Sequence, residues 1–236
     1  MNMDIYDCLL RAVEEEYDTL KVLKSNPRGS VSVIRHRNSG ARFLFRKYKG
    51  SCEVYHKLIT VTSPHLPQIM EAVQLGENSI VIEEYIQGDT LSSLLEYSLF
   101  TPAQTRKIAK QLCCALWILH SIGAVHRDVK PENVILRGDE AVLLDFDASR
   151  LIKQEQVNDT QVLGTIGYAA PEQYGISQTD GRADIYAMGV LINIMLTGKH
   201  PSQKLAGGRM GKLVQRCTMM NPEKRFRNIL HLMETL

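Results

Sequence analysis

The chain lacks any marked excess of charge: 28 Lys and Arg against 26 Asp and Glu leave a net +2 over 236 residues. No dense Lys/Arg tract compensates, so nothing points to nucleic acid as a partner. The five cysteines (8, 52, 113, 114 and 217) are odd in number and lack metal-type spacing. They read as reduced thiols of a reducing compartment. The acid-rich stretch from Met1 to Tyr17 has no basic segment or cleavage site, which argues against a secretory signal. The longest nearly apolar run, Ile185 to Leu196, has 12 residues, too few to span a bilayer. Repeats and low-complexity segments are missing as well. What remains is an ordinary globular composition, 44% hydrophobic, enough for a sizeable core in one large domain or two small lobes.

Periodicity divides the chain. Residues 4–16 place Ile5, Leu9, Leu10 and Val13 on one helical face. Tyr17 to Lys24, Ser30 to His36 and Arg42 to Tyr48 then read as short strands, separated by turns at Asn26-Pro27-Arg28-Gly29 and Asn38-Ser39-Gly40. Glu53 to Val61 reads as helix and Ile80 to Ile86 as an apolar strand. Beyond Gly88 the helical period takes over. Thr101-Pro102-Ala103-Gln104 is a capping box with proline at the first helical position. The helix it opens turns Ile108, Leu112, Ala115, Leu116 and Leu119 inward. A hairpin is expected around Gly138-Asp139, and a further helix capped by Asp180 and ended by Gly198.

Three landmarks lie in this second half: His126-Arg127-Asp128-Val129-Lys130-Pro131-Glu132-Asn133, then Asp145-Phe146-Asp147, then Ala170-Pro171-Glu172. In that order they resemble the catalytic loop, metal-binding aspartate and activation-segment end of eukaryotic-type serine/threonine protein kinases. The wording of residues 167–175 is similar to small soluble bacterial kinases of the Firmicutes type. The resemblance implies an α+β, bilobal fold, with an N-terminal helix (1–16), a small antiparallel β lobe (17–83), and a hinge and larger, mainly α lobe (84–236). The thiols, the want of a signal and the short apolar runs give the expectation of a cytoplasmic protein without a membrane segment. The resemblance itself implies an enzyme using ATP and Mg, with nucleotide in the cleft below Gly29 and above Asp145. The partner it implies is a protein substrate presenting serine or threonine, the chain itself included.

The same resemblance assigns roles. Asp128 is the expected general base, Lys130 reaches the transferring phosphate, and Asn133 and Asp145 hold magnesium, a hard ion suited to oxygen ligands. Lys130, two residues after Asp128, and Thr165 both point to serine/threonine rather than tyrosine. Glu172 is expected to pair with Arg225, and Asp184 to anchor the catalytic-loop backbone. Arg127 is the expected phosphate receptor for an activation-segment modification, with Thr160 the first acceptor and Ser149 the second.

The small lobe departs from the family. Gly29 and Val31 match the end of the glycine-rich loop, but Lys24 and Asn26 replace its earlier glycines and Pro27 removes an amide donor. Lys24 or Arg28 then becomes a side-chain contact for phosphate. The strand lysine falls on Arg46, with Lys47 the alternative after a one-residue slip that would turn every side chain over. Glu84 and Ile86 take the hinge positions facing adenine. Glu83 then lies at the gatekeeper position, usually apolar, and a cluster of Arg46 with Glu83 and the helix glutamate Glu53 is expected. Asp147 replaces a glycine, and Ser202 to Gly208 leave no room for the usual substrate-docking helix. Arg46 keeps open a pseudokinase that serves as a nucleotide-binding or scaffolding module. A small-molecule phosphotransferase of the aminoglycoside type is a third class, opposed by the activation-segment motif.

Overall fold

The computed structural model describes residues 4–152, 165, 167–174 and 179–236. They form two units: the chain to Ser63 with Pro67–Ile86, and Pro64–Leu66 with Gln87–Leu236. The first is strand-rich and the second mainly helical, the α+β division expected.

The first unit opens with α1 (Ile5–Glu16), followed by β1 (Tyr17–Asn26), β2 (Gly29–His36), β3 (Arg42–Lys49), α2 (Glu53–Leu58), β4 (Ile69–Leu75) and β5 (Asn78–Glu84). The strands form one antiparallel sheet in the order β1-β2-β3-β5-β4. Strand alternation sends Ile34, Phe43, Phe45 and Ile82 to one face, where Leu9, Val13 and Tyr17 pack on them. α1 is therefore a cover for the sheet. Its apolar face is narrower than the spacing suggests, because Ile5 stays exposed. Arg37 closes the C-terminus of α1: its backbone N–H donates to Glu16 O at 2.8 Å and its guanidinium to the carbonyls of Glu14 and Glu15. A cation there also complements the helix dipole.

In the second unit β6 (Asp89–Thr90) precedes α3 (Leu91–Tyr97) and α4 (Pro102–Ser121). Next come β7 (Ala124–Val125), β8 (Val134–Arg137), β9 (Glu140–Leu143) and β10 (Arg150–Leu151), then α5 (Arg182–Thr197), α6 (Gly208–Cys217) and α7 (Ile229–Thr235). The capping box at Thr101 forms in both directions, and the inward residues of α4 are all buried. α5 begins at Arg182, whose backbone N–H donates to the Asp180 carboxylate, and ends at Gly198 in the left-handed conformation. α5 and α6 approach so closely that a Cβ on Gly189 would lie 2.4 Å from that of Cys217. Between these helices the short connection is held by buried Asn193, whose amide donates to the carbonyls of Lys199 and Lys204 and accepts from Ala206 N–H. No helix among the described residues is long and apolar enough to cross a membrane.

Candidate active site

The loop between β7 and β8 is built around Asp184, in the first turn of α5 and fully buried. Its carboxylate accepts from the backbone N–H of His126 at 2.9 Å, from that of Arg127 at 2.8 Å, and from the His120 ring at 2.8 Å. Burial pushes the Asp184 carboxyl up, but His120, the nearby His126 and the Arg127 amide outweigh it and hold the group below its ordinary 3.8. These bonds stabilise a strained turn, since Arg127 has φ 70°. Such a conformation costs on the order of 1–3 kcal/mol in a residue other than glycine. Gln173 holds Arg127 from the other side, donating to its carbonyl at 2.9 Å. His120 and Gln173 escape a reading by motif because their partners are 64 and 46 positions away.

The turn delivers Asp128 to a polar cluster. Its Oδ1 accepts from the Thr165 hydroxyl at 2.7 Å, and its Oδ2 meets Lys130 Nζ at 2.7 Å and Asn133 Nδ2 at 3.0 Å. Lys130 Nζ also donates to Thr165 Oγ1 at 2.7 Å. Asn133 spends its amide protons on the carboxylate and backbone carbonyl of Asp128, the latter at 2.8 Å, so its oxygen is oriented as an acceptor by default. Asp128, Lys130 and Asn133, the residues expected around the transferred group, are thus together, and Thr165, expected only as a mark of serine/threonine preference, joins them. Asp128 already accepts a hydroxyl proton donor at hydrogen-bond distance, the geometry a general base requires.

The β8–β9 hairpin sets the metal-binding candidates, twelve positions apart in the chain, side by side. Val134 pairs with Leu143, and Leu144 N–H donates to Asn133 O at 2.8 Å, so Asp145 emerges next to Asn133. Phe146 is buried edge-on against the His126 ring, 5.6 Å between centroids. Asp145 is left-handed, φ 67°, and Asp147 N–H donates to its carboxylate at 3.4 Å. Asn133 and Asp145 offer only oxygen, which fits magnesium. No group of three His, Cys, Asp or Glu among the described residues could hold a metal ion by itself.

Elsewhere in this unit Arg225 grips Glu172 bidentately, at 2.6 and 2.9 Å, as expected. Ser149 donates to His126 O at 3.2 Å. Thr160 lies outside the described residues.

In the first unit, register sends Arg46 and Lys47 to opposite faces of the sheet. Leu44 pairs with Glu83 and Arg46 with Val81, so residues 44, 46, 81 and 83 share one face. Lys47 is on the other face and exposed. Arg46 Nε meets Glu83 Oε1 at 2.7 Å, their side chains 6% and 0% exposed. The expected third member of that cluster is absent from it. Glu53 is exposed at the first position of α2 and forms no ion pair with Arg46. α2 stops at Leu58 rather than reaching Val61, and Val54, Tyr55 and Leu58 occupy its buried side. Val31 stands opposite Arg46 on β2. Gly29 must be glycine, because a Cβ would lie 2.2 Å from Lys47 O. Lys24 and Arg28 are exposed. Glu84 donates its N–H to Gln68 O at 2.8 Å, while its carboxylate accepts from Gln68 N–H at 3.1 Å, and Ile86 is buried.

Comparison with known proteins gives the chain a family. The family model for the protein kinase domain matches residues 47–233, beginning just after Arg46. The chain is 29% identical over 180 residues to serine/threonine-protein kinase pkn2 of Myxococcus xanthus, covering 73% of this chain and 21% of that protein. It is 36% identical over 134 residues to serine/threonine-protein kinase A of Synechocystis, covering 51% and 26%. It is 35% identical over 144 residues to serine/threonine-protein kinase PknD of Mycobacterium tuberculosis, covering 60% and 22%. The aligned part is about a quarter of these relatives' length or less.

Proposed function

This chain belongs to the protein kinase family, and we propose that it transfers the γ-phosphate of ATP to serine or threonine hydroxyls of proteins, itself included. The observation that carries the reading is the cluster of Asp128, Lys130, Asn133 and Thr165. Asp128 accepts the proton of the attacking hydroxyl, which contributes about 10²–10⁴-fold to the rate. Lys130, held against that carboxylate, neutralises charge on the transferring phosphoryl group. Asn133 and Asp145 would hold magnesium, which would supply neutralisation of charge on the phosphate oxygens. Arg46 takes the place of the strand lysine that holds the α- and β-phosphates, and Gly29 and Val31 line the nucleotide loop. Glu84 and Ile86 supply backbone groups to the adenine. Thr160 and Ser149 are the self-modification sites, read by Arg127. The cysteines of the chain are free, which supports a reducing, cytoplasmic setting.

Intact mass after incubation with ATP and magnesium tests the reading, beside an Asp128→Asn control. Phosphate gained only by the unaltered chain is the expected result. If neither chain gains phosphate and ATP does not raise the melting temperature, the nucleotide-dependent reading is wrong.

A further inference from the structure

Resting on the kinase reading above, we infer that Glu83 has taken over from the helix glutamate as the positioning residue for Arg46, so that the nucleotide-holding cation is fixed within the sheet and not by α2. In protein kinases the strand cation is paired by a glutamate on the neighbouring helix, and placement of that helix controls activity. Here the helix is six residues long and its glutamate, Glu53, points to solvent without pairing Arg46. A carboxylate that reaches Arg46 comes from β5, the strand hydrogen-bonded to β3. Because Leu44 pairs with Glu83 and Arg46 with Val81, the two charged side chains are diagonal neighbours on one face. Their backbone positions are set by ladder hydrogen bonds, and no displacement of α2 is needed to bring them together.

The same geometry explains why the cation is arginine. The bond to Glu83 uses Nε, one of five N–H donors spread over three nitrogens. A guanidinium can face Glu83 along one edge and phosphate along another. A lysine ammonium, with all its donors on one nitrogen, would be drawn onto the buried carboxylate. Arg46 and Glu83 are thus a matched exchange: an arginine where the family has lysine and a carboxylate where it has an apolar gatekeeper. The pairing is built in from folding onward, and regulation through helix placement is lost.

Titration calorimetry with magnesium-ATP, alongside kcat and KM, tests this on the full chain carrying E53Q, E83Q, R46K or R46K/E83M. E53Q is expected to bind ATP within about twofold of the unaltered chain, as for an exposed charge. E83Q is expected to bind roughly 10-fold more weakly, as when a charge-assisted bond is lost, with KM rising more than kcat falls. R46K is expected to weaken binding, and R46K/E83M to recover affinity by restoring a lysine beside an apolar neighbour. A purely structural pair would not give that rescue. Circular dichroism establishes that each variant is folded, and E83D stands in for E83Q should the latter unfold. If E53Q weakens binding as much as E83Q does, or if E83Q leaves affinity unchanged, the inference is overturned. If the unaltered folded chain binds no nucleotide, the kinase reading itself fails and takes this inference with it.

Discussion

The Thr165 hydroxyl donates to Asp128 Oδ1 at 2.7 Å while accepting from Lys130 Nζ at the same distance. One threonine therefore fixes both the proposed base and the proposed phosphate-binding lysine. Removing the hydroxyl leaves Asp128 and Lys130 in place but frees their rotamers. Thr165→Ala is expected to lower kcat about 10- to 100-fold, the worth of a hydrogen bond to charged groups. Thr165→Ser should keep most of the rate, and neither change should move the melting temperature appreciably. Single-turnover kinetics on both variants checks this; equal rates for alanine and serine would remove Thr165 from the site.

Glu172 and Arg225 are expected to matter for stability instead. The Arg225 guanidinium is fully buried, bonded twice to Glu172 and also to the carbonyls of Arg182, Met219 and Met220. Arg225→Met strands the Glu172 carboxylate and is expected to cost about 3–5 kcal/mol. Arg225→Lys should recover little, because an ammonium cannot reproduce the fork. Urea unfolding curves of the two variants measure the difference. A loss below about 1 kcal/mol would put the pair in the class of surface ion pairs.

How far these roles could be read from sequence depends on how local they are. The segment from Asp128 to Asn133 was legible because its partners are nearby and the chemistry restricts each residue type. Arg46 and Glu83 were legible through alternation: once Leu44 and Val81 face inward, so do 46 and 83. The place of Glu53 is not legible in the same way, because the sequence does not show which side of α2 is buried, and Val54, Tyr55 and Leu58 take that side. β4 carries no clear strand signal, since a bulge between Ile69 and Glu71 breaks its two-residue period. His120 and Asn193 gave no signal, as each satisfies groups that only the tertiary fold brings near.

Asp184 gives a pH prediction. Its carboxyl titrates below 3.8 in the folded chain and at the ordinary value when unfolded. Its stabilisation is therefore complete above the unfolded value and is lost as pH falls through the lower, folded one. Asp184→Asn should destabilise the protein near neutral pH and flatten the acid limb of the stability curve below about pH 4. Stability measured by denaturant titration from pH 3 to pH 7 decides it. An acid limb as steep in the variant as in the parent would mean that other carboxylates carry the dependence.

The N-terminal helix yields the last prediction. Val13 is buried against Ile34 and Ile82, and Arg37 ties the end of α1 to the sheet. The Phe43, Phe45 and Ile82 face beneath is too apolar to be left in water without cost, at roughly 25 cal/mol per Å². α1 is therefore part of the first unit's core and not an appended tail. Val13→Asp would bury a carboxylate with no cation among the cluster residues, and is expected to cost several kcal/mol. Exposed Ile5 provides the control: Ile5→Asp on the same helix should change stability by less than about 0.5 kcal/mol. Hydrogen exchange should then show β2, β3 and β5 losing protection in the Val13 variant alone. Full retention of that protection would mean that the sheet stands without its cover.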